Sequence, residues 1–457
     1  MSKHAEIPEA RPRWDSGIDV PGIVPLLVPA RRILAILAAL DAEAPVAVIA
    51  AHADLPSTTA LRHLQHLARC GLARTGKADP DCYALASGCA PFRPAVLSPA
   101  GHAAAVSWHI ACVFEAARVL GALALPAGTR ITPDPDRPPR SPADRGAALA
   151  WFTAERDHLE RELERAEERG EHTHTKQLAL LMLGMACFTG PWPRWRMVYQ
   201  RGITAARSDR DRAAEAMFEE AAGKLELTGG DPAAARERHH HALTVRAADR
   251  DSRGVVRSLN TIGVTFLRDG ALREAGELFA WALDLARALD YEEFATFALM
   301  NLGAVHARTA PLELAVKELK AAITALKASG RAAYIANALE DLAVAYRIAG
   351  DLGRAEETAI AAIEAATSAK VPMFLPGPLI EHAQILAAHG DPGGALARLH
   401  EARAIYDELG DDLRAERTRQ RIEQLSRAQP VPAHATCEAA AEGGSPTSTT
   451  DLLKGWT

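Results

Sequence analysis

The stretch Val255-Val256-Arg257-Ser258-Leu259-Asn260-Thr261-Ile262-Gly263-Val264-Thr265-Phe266-Leu267 sets its apolar and small residues at three- and four-residue steps. That is the period of a helix with one buried face. The turn pair Asp269-Gly270 follows, and Leu272 to Leu289 resumes the same period. Helix, tight turn and helix make a hairpin, and this hairpin recurs. Small residues stand forty apart at Gly223, Gly263, Gly303, Ala343 and Ala383, with a leucine series (Leu259, Leu299, Leu339, Leu379) four residues ahead. The alanine series 235, 275, 315, 355, 395 and 242, 282, 322, 362, 402 keep the spacing without a slip. Turn residues separate the helices, as in Gly229-Gly230-Asp231-Pro232, Gly350-Asp351 and Gly390-Asp391-Pro392. One hairpin cannot bury its apolar face alone, so the fold expected is a stack.

The expectation is therefore a mostly α protein whose residues 147–428 form an α-solenoid of about six hairpins in a right-handed superhelix. A degenerate first unit covers roughly residues 176–211, with Trp192 and Trp195 in its turn. The charged stretch Leu413 to Arg427 suits a capping helix, and residues 429–457, rich in Gly, Ser, Thr and Pro, read as a disordered tail.

Ahead of the repeats the pattern changes. Residues 28–90 offer an apolar helix (Ala30 to Ala42), a second from Pro45 to Ala53, and a third from Thr58 to Cys70, capped by Ser57 and closed by Gly71. Leu72-Ala73-Arg74 and Cys82-Tyr83-Ala84-Leu85 then alternate like strands around a polar tip. Three helices and a β-hairpin make a winged helix-turn-helix. Residues 1–27 read as a flexible arm, 91–132 as a helical connector (its helix Pro99 to Leu125), and 133–146 as a proline-rich linker.

Composition bounds the function. The 457 residues are 48% hydrophobic, 24% charged and 5% aromatic, with a net charge of −6. Wholesale disorder and a surface polycation are both excluded, though a local basic patch is not. No apolar run approaches the ~18 residues of a membrane span, the densest being Ile33 to Leu40, and Met1 to Trp14 lacks the apolar core of a secretory signal. Six scattered cysteines without a C-x-x-C pair suit a reduced, cytoplasmic setting. There is no G-x-x-x-x-G-K-[ST], G-x-S-x-G or H-E-x-x-H, so neither an enzyme nor a nucleotide cofactor is expected. His239-His240-His241 and His172-Thr173-His174 read as solvated helix faces rather than metal ligands, because consecutive helical residues point apart.

Ala147-Ala148-Leu149-Ala150-Trp151-Phe152-Thr153-Ala154-Glu155-Arg156-Asp157-His158-Leu159 resembles the A-L-A-W-(L/F)-x-A-E-R-x-x-L segment that opens the sensor region of AfsR-type STAND regulators of actinobacteria. Leu259, Gly263, Phe266, Ala275, Phe279 and Ala282 resemble the bulky and small positions of tetratricopeptide repeats, in the long variant such proteins carry. Trp192-Pro193-Arg194-Trp195 resembles the tryptophan-bearing turn of their first repeat. The resemblance spans residues 28–425 and implies a winged helix, a proline-rich connection and a repeat sensor. It departs in lacking the ATPase domain, and Gly88 to Pro94 replaces the family's His-Asp-Leu-Leu-Arg stretch after the wing.

The function expected is a cytoplasmic transcriptional regulator, its repeats receiving a protein or peptide signal and its winged helix binding DNA. A non-enzymatic adaptor and a peptide-pheromone receptor are the alternatives, and a homodimer is left open. Between Leu55 and Ala78 the charged residues are all basic. Ser57, Thr58, Thr59, Arg62 and His66 start or line the third helix, where base edges would be read, and Arg74 and Lys77 of the wing suit phosphate. A packing helix with Arg62 and Arg69 as its solvated face stays open as the plainer reading. In tetratricopeptide arrays the first helix of each hairpin lines the concave surface. That resemblance puts Lys224, Arg257, Asn260, Arg268, Phe297, Met300, Arg308, Asn337, Glu340 and Arg347 in the groove. Arginine and asparagine there suit an acidic peptide or a carboxyl terminus; pairing with neighbouring acids is the alternative.

Overall fold

The computed structural model describes residues 28–40, 43–76, 79–86, 95, 97–123, 125–126, 129–186, 188–189 and 192–428. The expected arm at 1–27, the expected tail at 429–457, Gly88 to Pro94 and Lys77 lie outside the described residues. The chain divides into two compact units, Met1–Leu302 and Gly303–Thr457.

The amino-terminal module runs α1 (Val28–Leu40), β1 (Ala44–Pro45), α2 (Val46–Ala53), α3 (Ser57–Arg69), β2 (Ala73–Thr75) and β3 (Cys82–Leu85). The two expected wing strands are antiparallel, with Ala73 opposite Leu85 and Thr75 opposite Tyr83. A strand the sequence reading did not foresee, β1, pairs with the other edge of β3 and makes the sheet order β1-β3-β2. Ile33, Leu34, Leu37, Ile49, Leu64, Leu67 and Tyr83 share one core. On α3 the buried residues are Ala60, Leu64 and Leu67, at four- and three-residue steps, so its opposite edge is left to solvent.

Connector helix α4 (Pro99–Leu120) starts where Ser98 Oγ accepts from Gly101 N–H at 3.0 Å, and ends at Gly121 in the left-handed conformation. Its Ala105, Trp108 and Cys112 pack on Ala47, Val48 and Ala51 of α2. Against the expectation from apolar runs, this helix is by length and composition able to cross a membrane; 61% of that apolar window is buried inside this fold. Helix α5 (Arg145–Glu168) follows, capped by Asp144.

Then come the hairpins: α6 (His172–Leu183) with α7 (Trp195–Ser208), α8 (Arg212–Thr228) with α9 (Pro232–Ala248), and α10 (Ser252–Arg268) with α11 (Leu272–Ala288). They continue as α12 (Glu292–Thr309) with α13 (Leu312–Ala328), α14 (Ala332–Ile348) with α15 (Leu352–Ala369), and α16 (Pro376–Ala388) with α17 (Pro392–Leu409), closed by α18 (Asp412–Ala428). The array is a tetratricopeptide-like α-solenoid. Trp195 opens α7, with Trp192 in the turn before it. Its buried ring stacks 6.2 Å from Phe152 and donates from Nε1 to Thr189 O at 3.0 Å.

The forty-residue series marks where the two helices of a hairpin touch. A Cβ on Gly223 would meet the His239 ring at 2.4 Å, on Gly263 the Phe279 ring at 2.6 Å, and on Gly303 the Leu319 side chain at 2.9 Å. The large residue stands sixteen positions after the glycine each time. Where the small residue is Ala343, the residue at that offset is the equally buried Ala359.

Candidate nucleic-acid interface and repeat face

Arg62 lies on the exposed edge of α3, its Nε and Nη2 donating to Thr58 O and Thr59 Oγ1, both at 3.4 Å. Arg69 likewise donates to Gln65 O at 3.3 Å, and His66 Nε2 lies 3.8 Å from Cys70 Sγ. Thr58, Arg62, Gln65, His66 and Arg69 are exposed together; Gln65 had no charge or motif to single it out. Arg74 is exposed on β2 but ion-paired to Glu43, an acid outside the stretch whose charge was counted.

Ser57 departs from that edge. Its N–H donates to Asp136 O at 3.3 Å, and its hydroxyl is buried without a partner. The chain covering it is the proline-rich segment ahead of α5. Trp108 Nε1 donates to Pro138 O at 3.0 Å, Arg140 N–H donates to Cys112 Sγ at 3.2 Å, and the Arg140 side chain pairs with Asp79 in the turn of the wing. Burial opposes it, yet the Arg140 hydrogen bond holds the Asp79 carboxyl below the usual range. Burial beside Asp79 pushes the Cys82 thiol up to about 12.

Behind this module lies a seam of histidines: His52 of α2, His102 and His109 of α4, and His158 of α5. His102 Nδ1 lies 3.6 Å and His158 Nε2 3.9 Å from opposite oxygens of Glu162, which also pairs with Arg165 at 2.9 Å. The His109 and His158 rings are 4.8 Å apart.

Among the described residues, two clusters have donor atoms close enough for a metal ion: Asp79, Cys82 and Glu155, and Glu215, Glu219 and His241. Arg140 stands in the first, while Arg207 and Arg238 bind the carboxylates of the second. The three consecutive histidines diverge: His239 is buried against Gly223, His240 is exposed, and His241 bonds Glu215 at 3.0 Å.

On the first helices of the hairpins, the groove candidates separate into kinds. Exposed Lys224 donates to Glu220 at 2.9 Å, and buried Arg246 donates to the same carboxylate and to Ser258 Oγ, each at 2.7 Å. Burial would raise the Glu220 pKa, but Lys224, Arg246 and Arg257 hold it far below the usual range. Arg257 lies 5.9 Å over the Phe294 ring, and Asn260 accepts from Asn301 at 2.9 Å. Arg268 is exposed in the last turn of α10, and Asn337 is half-buried. Phe297 and Met300 are 8% and 4% exposed, so a partner does not meet them: the apolar face of α12 turns them into the core. Arg308 is answered by Asp341 at 3.0 Å and Arg347 by Glu381 at 2.6 Å. Sequence reasoning missed Asn301 and Glu381 on this face, and Arg246 of α9 as the buried partner of Glu220. Asp341 and Glu381 are themselves forty apart, a signal that carrying the period onto the acids would have found.

No curated protein matches the chain. Among solved structures, a STAND protein with a tetratricopeptide repeat sensor from Pyrococcus horikoshii is 13% identical, with 87% of this chain and 63% of that chain covered at a TM-score of 0.41. The apo quorum sensor NprR from B. thuringiensis is 14% identical, covering 61% and 85% at 0.35. A Rap protein complexed with competence and sporulation factor is 14% identical, covering 70% and 97% at 0.38. Residues 30–76 match the family model of the IclR helix-turn-helix domain, and the winged module of this chain is accordingly an IclR-type helix-turn-helix.

Proposed function

We propose that the chain is a transcriptional regulator whose winged helix binds DNA and whose repeats receive a protein or peptide signal. The observation that carries it is the edge of α3. Within a matched helix-turn-helix domain, Thr58, Arg62, Gln65, His66 and Arg69 stand exposed on the helix that enters a major groove in such domains. Thr58, Thr59, Arg62 and His66 read base edges, Arg74 and Lys77 hold phosphate, and Ser57 joins them when uncovered. The resemblance to AfsR-type regulators supports the same order of parts, a winged helix followed by repeats. On the repeats, the exposed Lys224 and the half-buried Arg257, with the amides of Asn260 and Asn301, favour an acidic peptide, whose backbone and carboxylates suit those groups. Arg308 and Arg347, already answered by acids, serve the repeats themselves.

A gel shift with genomic fragments over a salt series tests the DNA part. Binding at low salt that weakens steeply as salt rises is expected, since phosphate contacts release counterions; no shift at low salt refutes it. For the repeats, Arg257→Glu removes capture of the partner while leaving helicity unchanged. Capture that survives the substitution puts the partner elsewhere.

A further inference from the structure

We infer that residues 133–140 (Pro-Asp-Pro-Asp-Arg-Pro-Pro-Arg) are an autoinhibitory strap that closes the DNA-reading end of α3. This rests on the DNA-binding reading above. The first turn of a helix carries N–H groups without partners inside the helix, and its positive end is where anions settle. At α3 the residue before Ser57 is Pro56, which gives no side-chain cap. The strap supplies one instead, through Asp136 O on the Ser57 N–H. The donor that a DNA phosphate would take is thus taken by the protein's own chain.

The same segment sets exposed Asp136 at that end of the helix. Asp136 N–H bonds Asp134 Oδ1 at 2.9 Å and Arg137 pairs with Asp134, which folds the strap into a turn. Phosphates approaching α3 would meet both the bulk of this turn and the charge of exposed Asp136. Beyond the turn, the strap is pinned on two sides, by Trp108 and Cys112 of α4 and by Asp79 at the wing. It therefore lies from the start of α3 to the turn of the wing, the two elements that contact DNA in this reading.

Its composition suits reversible docking. Pro133, Pro135, Pro138 and Pro139 have no N–H to donate and a fixed φ, so the free strap is stiff and re-docks with little entropy to lose. Its hold is a few single hydrogen bonds and ion pairs rather than an apolar core. The strap runs through Asp144 directly into α5, which packs on α4 and on the first hairpin. Movement of α5 driven from the repeats would pull it away.

Two variants of the full chain test this, read by fluorescence anisotropy on a short mixed-sequence duplex at low salt. In the first, Trp108→Phe with Arg140→Ala removes an indole donor and the side-chain anchor while keeping an aromatic ring. It should bind at least about tenfold tighter than the parent, a gain of ~1.4 kcal/mol. In the second, Ser57→Cys with Asp136→Cys permits a disulfide across the contact; the oxidised form should bind at least about tenfold more weakly than the same protein after reduction. That comparison is made within one protein, so it stands even if the first variant folds poorly. If the parent binds the duplex and neither change alters its affinity, the strap is overturned and the DNA reading stands. If no form binds at low salt, reduced or released, both fall.

Discussion

Arg62 on α3 and Arg308 on α12 are both arginines at an exposed helix edge, and the difference between them lies in what answers the charge. Arg62 bonds a carbonyl and a hydroxyl of its own helix, through two long contacts. Arg308 meets Asp341 of α14, one repeat further on, and Arg347 meets Glu381 in the same way. A guanidinium answered only by its own backbone keeps most of its charge for a ligand; one answered by a carboxylate of the next repeat ties repeats together. Helix α3 therefore holds Arg62 in readiness, whereas Arg308 and Arg347 of the repeats, like Arg74 of the wing beside Glu43, are already answered.

The largest expected effect sets the histidine seam against the repeats. Burial, reinforced by Arg169, holds His52 at about 4 and His102 at about 3; burial beside Arg161 holds His158 at about 4, and His109 lies well below 6.5 through burial and His158. All four are neutral in the folded chain at pH 7. Below pH 6.5 the unfolded chain takes up protons that the folded chain refuses. Stability is complete above that value and falls as pH drops, by about 1.4 kcal/mol per histidine for each unit. Glu155 and Glu162, pushed up by burial, act the other way, two carboxyls against four rings. Helices α14 and α15 contain no histidine. Hydrogen exchange, corrected for its intrinsic rate, should show α4 losing protection at least about tenfold more than α14 between pH 7 and about 5.5. Equal losses in both would erase the contrast.

Next in size is Arg246→Ala. Arg246 and Glu220 are both buried, and removing the cation leaves the carboxylate to Lys224 at its other oxygen and to the charge of Arg257. The expected loss is about 3 kcal/mol in urea unfolding, the low end for a broken buried pair because Lys224 stays. Adding Glu220→Gln should recover part of it; a double variant no more stable than the single would show the pair to be uncoupled.

How much of this the sequence showed follows from periodicity. The Gly223 series was legible because each member meets the residue sixteen positions on, so the same contact is written repeatedly. Trp195 was legible as a turn signal, but its stacking on Phe152 across 43 positions was not. Single long-range bonds leave no repeat to count: Glu43 on Arg74, and Asp136 on Ser57, join segments with unrelated patterns. The buried histidines were hidden for a further reason, since a helix such as α4 that is apolar on most sides gives no face on which a polar residue looks misplaced.

A smaller effect is expected at Arg308. Burial raises the Asp341 carboxyl even beside Arg308, so the pair gains less than full charges would suggest. Arg308→Ala should cost about 1–2 kcal/mol. A double-mutant cycle with Asp341→Asn should return a coupling of about 0.5–3 kcal/mol. Zero coupling would make Arg308 a free groove cation like Arg62, and the contrast between the two regions would collapse.

The smallest expected change in stability, and the sharpest in function, belongs to Arg62→Ala. Its two bonds are 3.4 Å long and solvent-exposed, so unfolding midpoints should move by no more than about 0.5 kcal/mol. DNA affinity should fall, and Arg62→Lys says how. If the guanidinium holds a phosphate, the alanine variant lowers the log–log salt slope by about 1 and lysine restores it. If instead it reads a guanine through two parallel bonds, lysine keeps the charge but not the fork, and affinity for a preferred sequence stays lost while the slope returns. A large drop in stability with an unchanged slope would move Arg62 to the side of Arg308, as a cation spent on the fold.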